Sequence, residues 1–161
     1  MKTIRLTNGK LTKVEDVDYD FLNQFTWRET AQGYAETERK FGKRRRRLLL
    51  HRLIMLCPNG VLVDHRDRDK LNNCKTSNLR FASHARNLAN AGLSKQNTTG
   101  FKGVSPTTTH TFQANIAVDK RQIYLGRYRT KEEAARAYDA AARKYLGEFA
   151  WLNFPETAQK K

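Results

Sequence analysis

Cysteine, proline and long apolar runs are scarce in this chain of 161 residues. The two cysteines, Cys57 and Cys74, form neither a CxxC pair nor a zinc-finger spacing, so we expect free thiols and no disulfide or zinc site. The most membrane-like stretch, residues 48–57, is interrupted by His51 and Arg52 and is far shorter than the roughly 20 apolar residues that span a bilayer. The N-terminus lacks the apolar core of a secretion signal. We therefore expect a soluble, cytoplasmic protein that has no membrane partner.

Acidic residues are also few, because 16 Asp and Glu face 31 Lys and Arg and leave a net charge of +15. Both halves of the chain are basic, so the charge does not belong to a detachable tail. Each contact between a cationic side chain and a phosphate releases condensed counterions, so a broad basic surface favours nucleic acid as the partner. The alternative is a soluble protein whose charge is only solvated, but the excess is large for this length.

Short apolar runs separated by turn residues predict an α+β fold for the first half of the chain. The Asn8-Gly9 dipeptide predicts a hairpin between strands at 3–6 and 11–14. The pattern further predicts helices at 16–26, 48–55 and 84–91 and strands at 27–28, 33–38, 44–50, 61–63 and 78–83. The polar stretch 92–100 is bounded by glycines and predicts a linker.

Strict alternation predicts a pair of strands in the second half. Apolar side chains at 112, 114, 116 and 118 alternate with other residues, and Asp119-Lys120 predicts a tight turn into the next strand. Thr130 and Glu133 have the spacing of a capping box, which predicts a helix at 131–146 that ends at Gly147.

Residues 64–87 bring a carboxylate, a histidine and several side-chain amides into one short segment. Oxygen donors of this kind suit a hard divalent metal, and an imidazole beside them can take a proton from water. In a chain of charge +15 the natural substrate is a polyanion. The segment therefore predicts a metal-dependent nuclease.

The order and spacing of residues 51–90 resemble the HNH nuclease family in the ββα-metal form of phage homing endonucleases. The matching residues are His51-Arg52-Leu53, Asp64-His65, Leu71-Asn72-Asn73, Asn78-Leu79-Arg80 and Asn87. The resemblance implies an HNH domain at 1–92 with its ββα-metal core at about 51–91. It also implies an enzyme that nicks or cleaves DNA by hydrolysing phosphodiester bonds, in the cytoplasm of a bacterial or phage-infected cell.

The same resemblance implies a role for each residue of the motif. His65 would be the general base. Asp64 and Asn87 would hold a divalent ion, for which Mg²⁺ is preferred. Asn78 would hold the loop closed and orient the His65 ring.

Three other residues compete for these roles. His84 is the alternative metal ligand, because it lies three residues before Asn87 and so on a similar face of the predicted helix. We prefer Asn87 because hard Mg²⁺ suits an amide oxygen better than an imidazole nitrogen. Asn72 and Asn73 are interpreted as loop-forming, since asparagine tolerates turn geometry.

Residues 100–154 resemble the ethylene-response-factor-type (Apetala) DNA-binding domain. The matching segments are Gly100-Phe101-Lys102-Gly103-Val104, Tyr124-Leu125-Gly126, Thr130 to Asp139 and Leu152-Asn153-Phe154-Pro155. The resemblance implies a linker at 93–100 and a domain at 101–156, in which a three-stranded antiparallel sheet packs on one helix. The sheet would lie in the major groove of double-stranded DNA.

The resemblance also implies DNA contacts from the sheet, at Lys102, Gln113, Asn115, Arg121, Gln122, Tyr124, Arg127 and Arg129. Tyr124 is expected on the DNA face and Tyr138 in the core. The run Arg44, Arg45, Arg46 and Arg47 is interpreted as a phosphate-binding surface of the first domain. Ala117 stands where plant members carry an arginine, so the target sequence does not follow from theirs.

Two other functions compete with the nuclease. One is a sequence-specific DNA-binding regulator whose nuclease domain is inactive, and the other is an RNA-binding or RNA-cleaving protein. The intact Asp64, His65 and Asn87 argue against the first. The lack of an aromatic pair of the RNA-recognition type argues against the second. No obligatory protein partner is expected.

Overall fold

Small antiparallel sheets and short helices make up residues 1–155, which are the residues that the computed structural model describes. The chain divides into two compact units, Met1–Ser83 and the residues from His84 onward. This mixed composition confirms the predicted α+β class. Residue 156, the end of the predicted second domain, lies outside the described residues.

The first unit contains seven strands and two helices. In chain order these are β1 (Lys2–Arg5), β2 (Leu11–Val14), α1 (Asp16–Leu22), β3 (Arg28–Glu29), β4 (Ala35–Phe41), β5 (Arg44–Leu49), α2 (Leu50–Ile54), β6 (Leu62–His65) and β7 (Leu79–Ala82). They form the sheets β1-β2, β3-β4-β5 and β6-β7. The predicted hairpin, helices and strands are confirmed, although α1 ends four residues earlier than the apolar pattern indicates.

Trp27 is at the centre of the first unit's core. Its side chain is fully buried, and its indole Nε1 donates a hydrogen bond of 2.8 Å to the carbonyl oxygen of Leu22 at the end of α1. Leu50 of α2 and Leu79 of β7 belong to the same buried cluster. The core therefore fixes β7, which begins next to the candidate site, against the helices.

The described part of the second unit, residues 84–155, contains two helices and one sheet. In chain order its elements are α3 (His84–Asn90), β8 (Val104–Pro106), β9 (Phe112–Val118), β10 (Arg121–Tyr128) and α4 (Lys131–Leu146), followed by a 3-10 turn at Gly147–Phe149. The antiparallel strand order is β10-β9-β8. The expected three-stranded sheet and helix are therefore present, and the turn at Asp119-Lys120 is confirmed by positive φ at both residues.

Helix α4 lies against one face of this sheet through small side chains. Its alanines 134, 135 and 142 are fully buried, as is Ala114 of β9. The predicted capping box is confirmed, because Thr130 Oγ1 accepts from the backbone N–H of Glu133 and the Glu133 carboxylate accepts from that of Thr130, both at 3.2 Å. Tyr138 is buried as predicted, and burial raises the pKa of its hydroxyl to about 12. No helix of the described residues is long and apolar enough to cross a membrane.

Lys102 joins α3 to the rest of the second unit through hydrogen bonds. Its ammonium donates to the carbonyl oxygens of Leu88, Ala89 and Ala91, at 3.3, 2.6 and 2.6 Å. A cation at the C-terminal end of a helix satisfies carbonyls that have no partner within the helix. The boundary between the units therefore lies before α3, whereas the predicted linker lies after it, at 93–100. The assignment of separate functions to 1–92 and 101–156 stays a prediction.

Candidate active site and nucleic-acid interface

The antiparallel pair of β6 and β7 positions the two central residues of the motif. Asp64 lies opposite Arg80, and His65 lies opposite Leu79. Asp64 is 5% exposed and His65 is 4% exposed. Adjacent side chains on a strand point to opposite faces, so the carboxylate and the imidazole meet different surroundings.

Arg80 compensates the charge of the buried Asp64 carboxylate. Its Nε and Nη2 lie 2.8 and 2.7 Å from the same oxygen, Oδ2 of Asp64. Both side chains are almost fully buried, and a carboxylate is stable there only when a cation or hydrogen bonds compensate it. Arg80 matches the motif, but its role could not be predicted, because nothing in the sequence reveals that β7 places it opposite Asp64.

The amide of Asn73 holds the imidazole of His65. His65 Nε2 lies 3.2 Å from Asn73 Oδ1, and both side chains are buried. Asn73 Nδ2 donates to Thr12 Oγ1 at 2.8 Å and to the carbonyl oxygen of Lys70 at 3.3 Å. The hydroxyl of Thr12 itself donates to the carbonyl oxygen of Leu71 at 2.8 Å, so its oxygen is the acceptor for Asn73.

This chain of hydrogen bonds determines which nitrogen of His65 carries the proton. Since the nitrogen of the Asn73 amide is used as a donor, its oxygen is the atom that faces the imidazole. An amide oxygen only accepts, so Nε2 of neutral His65 carries the hydrogen and Nδ1 carries the lone pair. The arrangement therefore prepares Nδ1 to accept a proton.

The side-chain hydrogen bonds of Asn78 go to the backbone of the loop and not to the His65 ring. Asn78 Oδ1 accepts from the backbone N–H of Asp67 at 2.9 Å, and its Nδ2 donates to the carbonyl oxygen of Asn72 at 2.6 Å. These bonds tie the start of β7 to both sides of the loop. The residue that orients the ring is Asn73, which the sequence indicates only as one of two neighbouring loop amides.

Strand β2 explains why Asn73 faces inward. The backbone N–H of Lys13 donates to Leu71 at 2.8 Å, and that of Asn73 donates to Lys13 at 2.9 Å. The loop between β6 and β7 therefore continues the pairing of the N-terminal hairpin. This docking turns the Asn73 side chain towards Thr12, while the Asn72 amide nitrogen donates outward to Asp67 at 2.6 Å.

The imidazole of His65 lies in a cluster of three rings with Tyr34 and His51. The ring centroid of His51 lies 5.0 Å from that of Tyr34 and 5.2 Å from that of His65. The centroids of Tyr34 and His65 are 5.9 Å apart. Burial, with smaller contributions from His65 and Arg52, lowers the pKa of His51 to about 3. Its buried Nδ1 has no hydrogen-bond partner among the described residues.

Burial also lowers the pKa of His65. The hydrogen bond that His65 donates to Asn73 and the charges of Asp67 and Asp64 oppose this shift without cancelling it. The pKa of the neighbouring Tyr34 hydroxyl is raised by burial and then by Asp64. His65 is therefore neutral near pH 7, which is the state that a general base requires. Tyr34 has no signal in the sequence that links it to this site, and His51 is recognisable only as a residue of the motif.

The two alternative metal ligands, His84 and Asn87, lie on α3 in the second unit. His84 is exposed and Asn87 is partly buried, and their spacing of three residues puts them on a similar side of the helix. His84 also lines a groove of about 750 Å³ within this unit, together with Leu88, Asn115 and Gln122. Among residues 1–155, no three His, Cys, Asp or Glu side chains gather in a group that could hold a metal.

The sheet of the second unit presents five of its eight predicted DNA contacts on its outer face. Antiparallel register pairs Gln113 with Arg127, Asn115 with Tyr124, and Ala117 with Gln122. Ala114 between them is buried against α4, so the paired residues face away from the helix. Tyr124 is 60% exposed, as expected for a residue of this face.

The other three predicted contacts have different surroundings. Arg121 is exposed but pairs with Val118, which packs on the helix side of the sheet. Arg129 is exposed and follows β10. Lys102 would have to leave the carbonyl oxygens of α3 before its ammonium bound a phosphate.

Comparison with known proteins gives two kinds of similarity. No family model matches the chain. A protein of Acanthamoeba polyphaga mimivirus named "Uncharacterized HNH endonuclease L560" is 28% identical over 137 residues, which cover 84% of this chain and 70% of the viral protein. The similarity is distant, but it extends over most of this chain.

Plant transcription factors give the second similarity. The AP2-like ethylene-responsive transcription factor PLT2 of Arabidopsis thaliana is 56% identical over 41 residues, or 26% of this chain and 7% of that protein. The AP2/ERF and B3 domain-containing protein Os01g0141000 of rice is 38% identical over 68 residues, or 42% of this chain and 19% of that protein. The aligned segments thus cover less than a fifth of either plant protein.

Proposed function

We propose that this chain is a metal-dependent DNA endonuclease of the HNH homing type, which nicks or cleaves duplex DNA at a chosen site. The observation that carries the proposal is the buried imidazole of His65, whose Nε2 lies 3.2 Å from Asn73 Oδ1, an arrangement that favours the tautomer with the lone pair on Nδ1. The similarity to the viral HNH protein supports the reaction, and the similarity to plant AP2 proteins supports the substrate. The net charge of +15 agrees with a polyanionic substrate.

His65 acts as the general base in this proposal. Its neutral imidazole takes a proton at Nδ1 from the water that attacks phosphorus. The positive charge that forms on the ring is stabilised by Asn73 Oδ1, which accepts the Nε2 hydrogen at 3.2 Å. Asn78 contributes by closing the loop that carries Asn73, and not by touching the ring.

Asp64 and Asn87 are the proposed ligands of a divalent ion, with His84 as the alternative to Asn87. The donor set fits a hard ion such as Mg²⁺, because a carboxylate and an amide supply oxygen atoms. Arg80 keeps the Asp64 carboxylate compensated in the folded chain. When bound, the metal supplies stabilisation of negative charge on the phosphate and on the leaving 3′ oxygen.

The outer face of the β8-β9-β10 sheet is the proposed DNA-reading surface. The amides of Gln113 and Asn115 stand on it, and side chains of this type form paired hydrogen bonds with adenine in the major groove. Arg127 and Tyr124 lie opposite them in register. Ala117 offers no donor at its position, so guanine recognition there is not expected.

Cleavage of plasmid DNA by the full chain tests the proposal. We expect activity with Mg²⁺, none in excess EDTA, and a loss of about 10²–10⁴-fold in rate for His65→Ala, the usual cost of losing a general base. Duplex binding by this variant, measured in EDTA, should stay close to that of the wild type. Full cleavage by His65→Ala, or by the wild type in EDTA, would refute the assignment.

A DNA-binding regulator with an inactive nuclease is the second candidate, and the Asp64–Arg80 ion pair favours it. Both guanidinium contacts fall on Oδ2 of the proposed metal ligand, where they compete with a metal for that oxygen. Tight, site-selective binding without cleavage in Mg²⁺ or Mn²⁺ would identify the regulator. Cleavage that depends on His65 would exclude it.

A further inference from the structure

Strands β4 and β5 extend beyond their sheet as a two-stranded ribbon. Strand β3 pairs only with Ala35 and Glu36 of β4, whereas β4 and β5 remain paired as far as Phe41 and Arg44. The ribbon therefore leaves the three-stranded part of the sheet after Glu36.

The register divides the ribbon's side chains between two faces. Cross-strand partners share a face and neighbours along a strand do not. One face, which we name the open face, carries Arg39, Phe41, Arg44 and Arg46. The other, which we name the paired face, carries Glu38, Lys40, Arg45 and Arg47. The four consecutive arginines are thus divided in pairs between two opposite faces.

The cations of the paired face surround a carboxylate. Arg45 Nη1 lies 2.9 Å from Glu38 Oε1. This hydrogen bond, followed by the charges of Arg45, Arg28 and Arg47, lowers the pKa of the Glu38 carboxyl. Part of the positive charge of this face is therefore compensated within the ribbon.

The open face carries no acidic residue. Arg44 and Arg46 are exposed, and neither side chain has a hydrogen bond or ion pair among residues 1–155. The guanidinium of Arg39 lies over the Phe25 ring at 4.5 Å, which leaves its edge available for hydrogen bonds. Phe41 is 55% exposed at the ribbon tip, on the same face as the two arginines.

We propose that the open face of the β4–β5 ribbon is a DNA-binding surface of the first unit and that the paired face points away from the DNA. Arg44 and Arg46 bind phosphates, and Phe41 packs against the sugars or base edges at the ribbon tip. The inference rests on the proposed function, because it takes duplex DNA as the partner. A two-stranded ribbon fits the major groove, which is about 12 Å wide, and not the minor groove of about 6 Å.

The spacing of the two arginines agrees with a phosphate-binding role. Residues two apart on one strand lie roughly 6.8 Å from each other, which suits neighbouring phosphates of one DNA strand. Because neither guanidinium has a hydrogen bond or ion pair among residues 1–155, both bind phosphate without breaking one. Arg45, in contrast, would have to leave Glu38.

Two matched double variants of the full chain test the inference. Arg44→Ala with Arg46→Ala, and Arg45→Ala with Arg47→Ala, remove the same charge from the same strand. Binding to a labelled duplex is measured in EDTA over a range of salt concentrations. We expect the open-face variant to lower the log–log salt slope by roughly 1.8, which is roughly 0.9 for each of two lost phosphate contacts. The paired-face variant should change the slope by less than half as much.

Two single variants sharpen the test. Glu38→Gln frees Arg45 and should leave the slope unchanged, because the paired face does not meet DNA. Phe41→Ala should weaken binding without changing the slope, because a phenyl ring releases no counterions. Unchanged thermal unfolding curves show that each variant is folded.

The possible results separate this inference from the proposed function. Equal slope losses in the two double variants, or a larger loss in the paired-face variant, would overturn the assignment of faces. Wild-type slopes in both would overturn the ribbon as a DNA-binding surface while the proposed nuclease stands. A wild-type chain that binds no duplex would overturn both.

Discussion

Asn73 Oδ1 accepts the Nε2 hydrogen of His65, and the other side of the same amide is anchored to Thr12 on the N-terminal hairpin. The proton chemistry proposed for the imidazole thus depends on a side chain that does not touch the substrate in our mechanism. Fixing the tautomer of a functional histidine through its second nitrogen is a common use of such a partner.

Substitution of Asn73 tests this dependence. Asn73→Ala should lower the cleavage rate by about 10- to 100-fold, the usual cost of losing a residue that orients a functional imidazole. Asn73→Asp places a carboxylate beside Nε2 and should raise the pKa of His65. Since the base works only when neutral, the acidic limb of the pH–rate profile should then move to higher pH.

Asn72→Ala is the matched control, because this amide donates to Asp67 and not to the ring. It should leave the pH–rate profile in place. An Asn73→Asp profile that coincides with the wild-type profile would show that Asn73 does not govern the imidazole.

The buried histidines predict how stability depends on pH. The pKa of His51 is about 3 in the folded chain and 6.5 by reference, so between these values the unfolded chain binds more protons. This contribution to stability is complete above pH 6.5 and is lost as the pH falls. The slope reaches about 1.4 kcal/mol per pH unit for one proton.

The variant His51→Phe isolates that contribution. It keeps a ring beside Tyr34 and removes the titrating nitrogens, so urea unfolding between pH 7.5 and 5 should show a smaller slope of stability with pH. His65, whose pKa is also lowered, should maintain the remaining histidine contribution. Identical slopes for the variant and the wild type would contradict burial of a neutral His51.

The identity of the helix ligand is tested by two substitutions on α3. If Asn87 holds the metal, Asn87→Ala should raise the Mg²⁺ concentration for half-maximal cleavage by at least the roughly tenfold cost of losing a residue that only supports a ligand. His84→Ala should leave it nearly unchanged. A large increase for His84→Ala alone would transfer the assignment to His84.

Gly103 predicts a sharp stability effect in the second unit. It has φ of +74°, and a Cβ there would lie 2.0 Å from Tyr138 Cδ2 and 2.7 Å from the carbonyl oxygen of Asn115. Gly100 has a similar φ of +79° but no atom within 4 Å of the same position. Gly100→Ala should therefore cost about 1–2 kcal/mol for the left-handed backbone alone. Gly103→Ala should cost about 1–3 kcal/mol more, measured by thermal or urea unfolding. Equal costs would mean that the Tyr138 ring moves aside freely.

Local signals account for the parts of the fold that the sequence predicts well. The Thr130–Glu133 capping box and the alternation from Phe112 to Val118 depend on neighbouring residues, and both are confirmed. Asp64 and His65 are found for a similar reason, since they end a short apolar strand.

Features set by distant parts of the chain could not be predicted. Whether Asn73 or Asn78 meets the imidazole depends on docking against β2, through a bond that spans 61 residues. The hydrogen bonds of the Lys102 ammonium depend on where α3 ends. The face of the ribbon on which each of Arg44 to Arg47 lies depends on the register between β4 and β5. A charge run or an amide pair contains no information about these partners.

The loop between β6 and β7 docks on β2, and this limits how the candidate nuclease motif can be transferred to another protein. In the sequence, residues 64–87 resemble a self-contained motif, yet the Asn73 amide beside the His65 imidazole is held by Thr12 and by the backbone of Lys13. A graft that carried the motif without the hairpin would transfer the candidate ligands but not the tautomer of His65. For the same reason, an affinity tag or truncation that disturbs the first fourteen residues should lower the rate of DNA cleavage and leave the affinity for DNA unchanged.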